Sequence, residues 1–435
     1  MISTANLQVG MYVSQLDRPW LETPFLFKGF EIRENAELAL LRQFCRNVYV
    51  DVNRGSLAKD LVLAATKARQ VSHQIAKPDR VSRRPRSLRA RLVHSISRLD
   101  PTGVIAARLY DHRKYRNTVS TAAEAPHAIR AYDAAAQTIN EVLDQIHAGK
   151  GVDVGRVKAA ATPVIESILR NQDSMAWLIY LRKRDEYAYH HSVASAVWAV
   201  ILGRHLGFDR EGLDTLALGG MLLDMGKARL PARIAGSTEK FTPAEVEIMK
   251  KHVRYGLDLA RKTPGINADA LTMIESHHER HDGSGYPKEL RGADIPVFGR
   301  IGGLVDCYDA MTSPRPWAKP KSPYDAIREL NVLAGTKFQK EMVEQFVQAL
   351  GMFPTGSLVE LNTGEVGVVV EQNHIRRLRP KLMIVLDAEH RALQQYQTLD
   401  LRQLPSDQRD GNAYWIVKGL ESGAFGVDPK NYFIA

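Results

Sequence analysis

The chain has 435 residues, 44% apolar and 25% charged with a net charge of +10, the composition of an ordinary soluble globular protein of two or three domains. Two cysteines, Cys45 and Cys307, are too few for a disulfide framework and fit a reducing cytoplasm. The longest apolar run, Val193 to Leu202, is about half of what a membrane span needs, and the opening MISTANLQVGMYV lacks the basic-then-apolar order of a signal peptide.

In residues 1–55, VGMYVSQLD, FLFKGF and NVYVDV alternate or run apolar over strand lengths, with a helical ENAELALLRQFCR between the last two. A small α+β module is expected there. Residues 56–124 form a basic connector: from Arg54 to Arg116 stand 16 Lys and Arg against 4 Asp and Glu, which leaves the rest of the chain slightly acidic. Its densest stretch, KPDRVSRRPRSLRARL from Lys77 to Leu92, fits a solvated linker, or else a patch for nucleic acid, acidic lipid or a partner protein. No aromatic residues interleave with the arginines, which argues against nucleic acid as the partner.

From Ala125 the pattern turns helical. Ala125–Ala148, Gly155–Asn171, Tyr187–Leu206, Glu211–Lys227, Thr242–Lys262 and Asn267–Arg280 carry apolar residues at three- and four-residue intervals, separated by Gly, Pro and Asp. TPAE at 242–245 places a proline in a first helical turn. Residues 125–355 are therefore expected to form an all-helical domain. SLVELNTGEVGVVVEQN and KLMIVLDAEH then read as strands, so 356–435 is expected to be a β-rich appendage. The expected fold class is mainly α, with a small α+β module before the helical domain and a β-rich one after it.

Candidate metal ligands fall at helix ends or on otherwise apolar helices. Residues 277–287 read HHERHDGSGYP, and two adjacent imidazoles at a helix end can reach one ion, because successive helical side chains point about 100° apart. His191 opens HSVASAVWAVIL, His252 sits in MKKHVRYG and Asp306 in IGGLVDCYDAMT. Asp224 stands in LALGGMLLDMGK, where a carboxylate needs a partner, and Lys227 lies on its face three residues on. Taken singly, each has an ordinary structural explanation: a packed or capping histidine, a buried ion pair, a helix cap. Taken together, His and carboxylate donors without thiolates suit two divalent ions of iron, manganese, nickel or zinc in a catalytic site.

These motifs, together with LLDMGKARLP at 222–231 and IPVFGRIGGLVDCYDAMTSPRPW at 295–317, resemble the HD-GYP family of bacterial cyclic-dinucleotide phosphodiesterases over roughly residues 150–350. GMYVSQLDRPWLETPFLFKGF likewise resembles the uncharacterised module that often precedes such domains. The resemblance implies one ion held by Asp224, His252, His277 and His278, and a second held by His191, Asp224 and Asp306. Lys227 would stabilise phosphate charge, the turn of Asp282, Gly285, Tyr286 and Pro287 would shape a guanine pocket, and Arg315 and Lys319 would hold substrate phosphate. Leu223 stands where the family's namesake histidine belongs, and Tyr187 where some members place a third-metal glutamate.

The implied activity is hydrolysis of cyclic di-GMP, or of cyclic GMP-AMP, to pGpG or GMP by metal-activated in-line attack. The alternative is a weakly active or inactive member that serves as a cyclic di-GMP receptor or a protein-interaction module. GGDEF-type signalling proteins are the implied partners, and apolar helices in the connector allow a homodimer.

Overall fold

A computed structural model describes residues 2–16, 30–32, 35, 38, 41–42, 45–51, 115–181, 187–235, 237, 239–314, 319–373, 378–404, 413–421 and 423–432. The dense Arg-rich stretch 77–92 and Arg315 lie outside them, as does most of the helix expected over 34–46. The chain divides into two units, residues 1–93 with 403–415, and residues 94–402 with 416–435.

In the first unit, strands β1 (Ile2–Ser3), β2 (Tyr12–Leu16), β3 (Phe30–Glu31) and β4 (Asn47–Asp51) form an antiparallel sheet in the order β1-β4-β2-β3. Ile2, Leu7, Met11, Val13, Leu16, Ile32 and Val48 fill its small core.

Among the described residues of the second unit, the longer helices are α1 (Thr121–His147), α2 (Val154–Arg170), α3 (Gln172–Leu181), α4 (Tyr187–His205), α5 (Arg210–Leu222), α6 (Pro243–Arg261), α7 (Ala268–Ser276), α8 (Val297–Thr312), α9 (Pro323–Leu333) and α10 (Lys340–Leu350). A single helical turn at Ala232–Ala235 precedes α6. Caps set most starts: Ser120, Asp153, Asp209, Asn267 and Ser322 each accept a first-turn backbone N–H. At α6, Thr242 and Glu245 form a reciprocal capping box with Pro243 in the first turn. Helix α4 is apolar on every side from Val193 to Leu202 and is buried throughout, packed chiefly against α5 and α8.

Helix α1 begins at Thr121 rather than Ala125 and α7 ends at Ser276 rather than Arg280, and two departures are larger. Helix α5 ends at Leu222 rather than running to Lys227, and the chain tightens into a 3-10 turn at Met225–Arg229. The cause is a backbone contact: a Cβ on Gly226 would lie 2.0 Å from the His252 carbonyl oxygen and 2.3 Å from the Gly256 nitrogen. Glycine lets this turn touch α6, and the touch brings Asp224 beside His252. Helix α3 went unassigned in the sequence because residues 172–180 are buried on all sides and show no amphipathic stripe.

Strands β5 (Leu358–Leu361), β6 (Val366–Glu371), β7 (Lys381–Leu386), β8 (Ala392–Asp400) and β9 (Ile416–Leu420) form an antiparallel sheet in the order β8-β7-β6-β5-β9. Trp177 of α3 is part of its core, with Leu358, Val366, Val368, Met383 and Val385. Asp173, buried at the start of α3, accepts the Gln372 backbone N–H at 3.3 Å and the Thr355 hydroxyl at 3.2 Å. The sheet is thus bound to the helical domain by both apolar and polar contacts.

Replacing Gly226 forces two backbones apart, and neither can yield as a side chain would. Gly226→Ala is expected to lose about 1–3 kcal/mol of stability, the usual range for overpacking. Gly151→Ala, where an added Cβ meets nothing within 4 Å, should unfold at nearly the wild-type denaturant concentration. Equal midpoints for the two variants in urea would refute the close-approach account.

Candidate metal centre

The site forms where α4, the 225–229 turn, α6, the end of α7 and α8 meet. Asp224 is buried at the start of that turn. Its Oδ1 lies 3.3 Å from His252 Nε2 and 3.8 Å from His277 Nε2, yet accepts no hydrogen bond. Its Oδ2 faces His191 Nε2 at 3.3 Å and is paired with the Lys227 ammonium.

The imidazoles explain the missing hydrogen bond. His252 Nδ1 donates to the Met249 carbonyl at 2.7 Å and His277 Nδ1 to the Ile274 carbonyl at 2.9 Å. A carbonyl only accepts, so the ring proton sits on Nδ1 and each Nε2 presents a lone pair. These two nitrogens stand 3.5 Å apart, and His278 Nε2 is 3.1 Å from His252 Nε2. Burial lowers the pKa of all three rings, that of His252 to about 4, so they are neutral near pH 7. Burial alone would raise the Asp224 carboxyl, but Lys227, His191 and His252 together hold it well below the usual carboxylate range. The Nε2 lone pairs of His252 and His277 therefore face the unsatisfied Asp224 Oδ1, with His278 Nε2 beside them, a donor set that suits a cation.

Asp224, His252, His277 and His278 offer ligand atoms within 4.8 Å of one another, and so do His191, Asp224 and Asp306. His191 Nε2 lies 3.0 Å from Asp306 Oδ1, and its Nδ1 lies 2.7 Å from Asp309 Oδ2. Asp309, fully buried, also accepts from the Ser313 hydroxyl at 3.1 Å and the Trp198 indole N–H at 3.4 Å. With a cation in this triad, a proton on Nδ1 stays with Asp309 and Nε2 turns its lone pair inward. Burial would raise the Asp306 carboxyl, but His191 and His278 outweigh it and hold that group below its ordinary value.

The GYP turn closes against the same cluster. The Tyr286 ring stacks on His278 with centroids 4.6 Å apart, and its backbone N–H donates to the His278 carbonyl at 3.2 Å. A Cβ on Gly285 would lie 2.4 Å from that same carbonyl oxygen, so this position requires glycine. Buried Glu279 accepts the backbone N–H groups of Lys288 at 2.7 Å and Leu290 at 2.9 Å, which fixes the exit beyond Pro287. Asp282 is half-exposed and committed to Ser284 and Lys337.

Of the residues singled out in the sequence, the structure gathers His191, Asp224, Lys227, His252, His277, His278 and Asp306, and packs Gly285 and Tyr286 beside them. Lys319 is exposed, next to the undescribed residues 315–318, so neither it nor Arg315 is placed at the site. Two supporting acids escaped the sequence reading. Asp309 could have been found as a second carboxylate one turn after Asp306 on an apolar helix; Glu279 could have been found as the buried acid inside the HHERHD run.

An HD domain family matches residues 173–342, a domain of unknown function (DUF3391) matches residues 1–157, and a KOW domain associated with HD domains matches residues 358–406. The chain is 28% identical to the cyclic di-GMP phosphodiesterase PA4108 of Pseudomonas aeruginosa, over 92% of its own length and 88% of that protein. It is 34% identical to a cyclic di-GMP phosphodiesterase of Thermotoga maritima, over 38% of this chain and 45% of the other. It is 31% identical to the 3'3'-cGAMP-specific phosphodiesterase 2 of Vibrio cholerae, over 40% and 33% respectively. No helix among the described residues is long and apolar enough to cross a membrane. Residues 173–342 thus match the HD domain family and carry the Gly285–Tyr286–Pro287 turn, with regions before and after them that match DUF3391 and the HD-associated KOW domain.

Proposed function

We propose that this chain is a metal-dependent phosphodiesterase that opens cyclic di-GMP to pGpG or GMP. The observation that carries this reading is the convergence of the His252, His277 and His278 imidazoles on a buried Asp224 Oδ1 that accepts no hydrogen bond, a donor set that suits a divalent cation. In this reading Asp224, His252, His277 and His278 hold one divalent ion of iron, manganese, nickel or zinc, and His191, Asp224 and Asp306 hold another. Bound there, the ions supply Lewis-acid activation of the phosphodiester and of the attacking water. Lys227, whose side chain is 37% exposed beside Asp224, places a fixed positive charge where phosphate oxygens arrive. Tyr286 and the 282–287 turn form one wall of the substrate site; the family resemblance alone assigns Arg315 and Lys319 to substrate phosphate. The relative that spans nearly the whole chain is named for this substrate, and the cGAMP-specific relative makes cyclic GMP-AMP the first competitor to test.

One observation favours a second reading, a cyclic di-GMP receptor with little turnover. Leu223, 1% exposed, stands immediately before Asp224 and cannot ligate.

With Mn²⁺ or Fe²⁺ added, the purified chain is expected to convert cyclic di-GMP to pGpG, as followed by chromatography, and to stop when EDTA is added. Asp224→Ala or His277→Ala should lower kcat/KM by at least about 100-fold, since losses even outside the ligand set commonly reach 10- to 100-fold. Binding of cyclic di-GMP without product, under every metal tried, would favour the receptor.

Asp309 touches no substrate in this reading and acts by positioning His191. Asp309→Asn is expected to reduce kcat about 10- to 100-fold and to weaken metal retention while the thermal midpoint stays close to wild type. Unchanged metal content and unchanged kcat would show that the His191–Asp309 contact is structural only.

A further inference from the structure

Asp224 divides its two oxygens between unlike sets of donors. The set around Oδ1 has three neutral imidazoles and one carboxylate, enough to close a four-coordinate shell. Backbone carbonyls lock two of those rings in the ligating tautomer, and Tyr286 braces the third. The set around Oδ2 has one imidazole and two carboxylates. There the Lys227 ammonium already engages the shared oxygen, drawing on the same lone pairs and adding positive charge beside any bound cation.

Leu223 closes off a fourth donor. Its Cδ1 lies 3.5 Å from the point a Cβ on Gly302 would occupy, and Gly302 is one turn before Asp306 on α8. An isobutyl group thus rests on the same face of the helix that presents Asp306.

Resting on the metal-centre reading above, we propose that the two positions differ in kind: the imidazole-rich one retains a resident transition metal, and the oxygen-rich one is an exchangeable site for a harder cation such as Mn²⁺ or Mg²⁺. Imidazole donors suit zinc, iron or nickel, whereas carboxylates with several open positions for water suit manganese and magnesium. Turnover would then follow the free concentration of the harder cation, with the resident ion always in place.

The test uses the full chain, loaded with Fe²⁺ or Zn²⁺, passed through gel filtration in metal-free buffer and assayed by plasma mass spectrometry. About one ion per chain should be retained, and His277→Ala should remove it. Titration of the filtered protein with Mn²⁺, followed by loss of the free-ion electron paramagnetic resonance signal, should reveal one further, weaker site. Asp306→Asn should abolish that Mn²⁺ binding and leave the retained ion untouched. Leu223→His should raise the retained content towards two ions. Two ions retained by the wild type, or loss of the resident ion in Asp306→Asn, would overturn the inequality while sparing the metal centre. No retained ion in any variant and no Mn²⁺ binding would sink both.

Discussion

Acceptors that face one another without a proton between them repel, and the helical domain is organised around holding Asp224 Oδ1 against the Nε2 lone pairs of His252 and His277. His252, His277 and His278 bring their Nε2 atoms within 3.5 Å of a neighbouring ring nitrogen, and Asp224 Oδ1 stands beside them without a donor. A buried polar atom left unsatisfied costs on the order of 1–3 kcal/mol. The chain tolerates Asp224 Oδ1 in that state because the surrounding positions are set by contacts elsewhere: the Met249 and Ile274 carbonyls, the Gly226 turn against α6, and Tyr286 against His278. A cation at the centre turns this repulsion into attraction without moving a ligand, which is what a preorganised site requires.

The second cluster is held from the opposite side, through aromatic packing. Asp309 receives His191, Trp198 and Ser313; Trp198 meets the ring of Tyr308 edge-on at 5.3 Å; and Tyr308 shares a hydrogen bond with Tyr180 of α3. Burial raises the pKa of both tyrosines, so these phenols remain neutral hydrogen-bonding groups. Three residues before Tyr180, Trp177 lies in the core of the C-terminal sheet. The sheet therefore buttresses the helix pair that carries His191 and Asp306, rather than hanging from the domain as an independent module. A protein without that sheet would expose Trp177 and leave Asp173 without its Gln372 and Thr355 donors.

Much of the site was legible because its chemistry contradicts its setting. A carboxylate in LLDMGK or an imidazole in HSVASAV is conspicuous, and the paired histidines at the end of α7 narrow the options further. Strands β2, β4, β5, β6 and β7 and six of the helices were legible from periodicity, with capping residues such as Thr242 and Asn267 marking helix starts. What escaped was set by long-range contact. The early end of α5 depends on Gly226 meeting α6, thirty residues later in the chain, and α3 is buried on all sides and so lacks a periodic signature. Strand β9 pairs with β5 across more than fifty intervening residues, which no local pattern reports. Asp309 reads locally as one more acid near a helix end, and only the fold shows that it faces His191.

Leu223 can be understood through the same electrostatic constraint. Another imidazole beside Asp224 would add a further lone pair to a volume already short of protons, at a position that is 1% exposed and packed on the Gly302 face of α8. Leucine removes that acceptor and contributes apolar packing, worth about 1.5–3 kcal/mol for a fully buried side chain. In the proposed reading the metal-free chain is thereby more stable, and the oxygen-rich position would hold its cation less tightly. Lys227 acts in the same direction, since it neutralises Asp224 Oδ2 before any metal arrives. In the proposed reading both residues would shift stability away from dependence on bound ions at the position where a loosely held cation, with sites open to water and substrate, could still serve a phosphodiester.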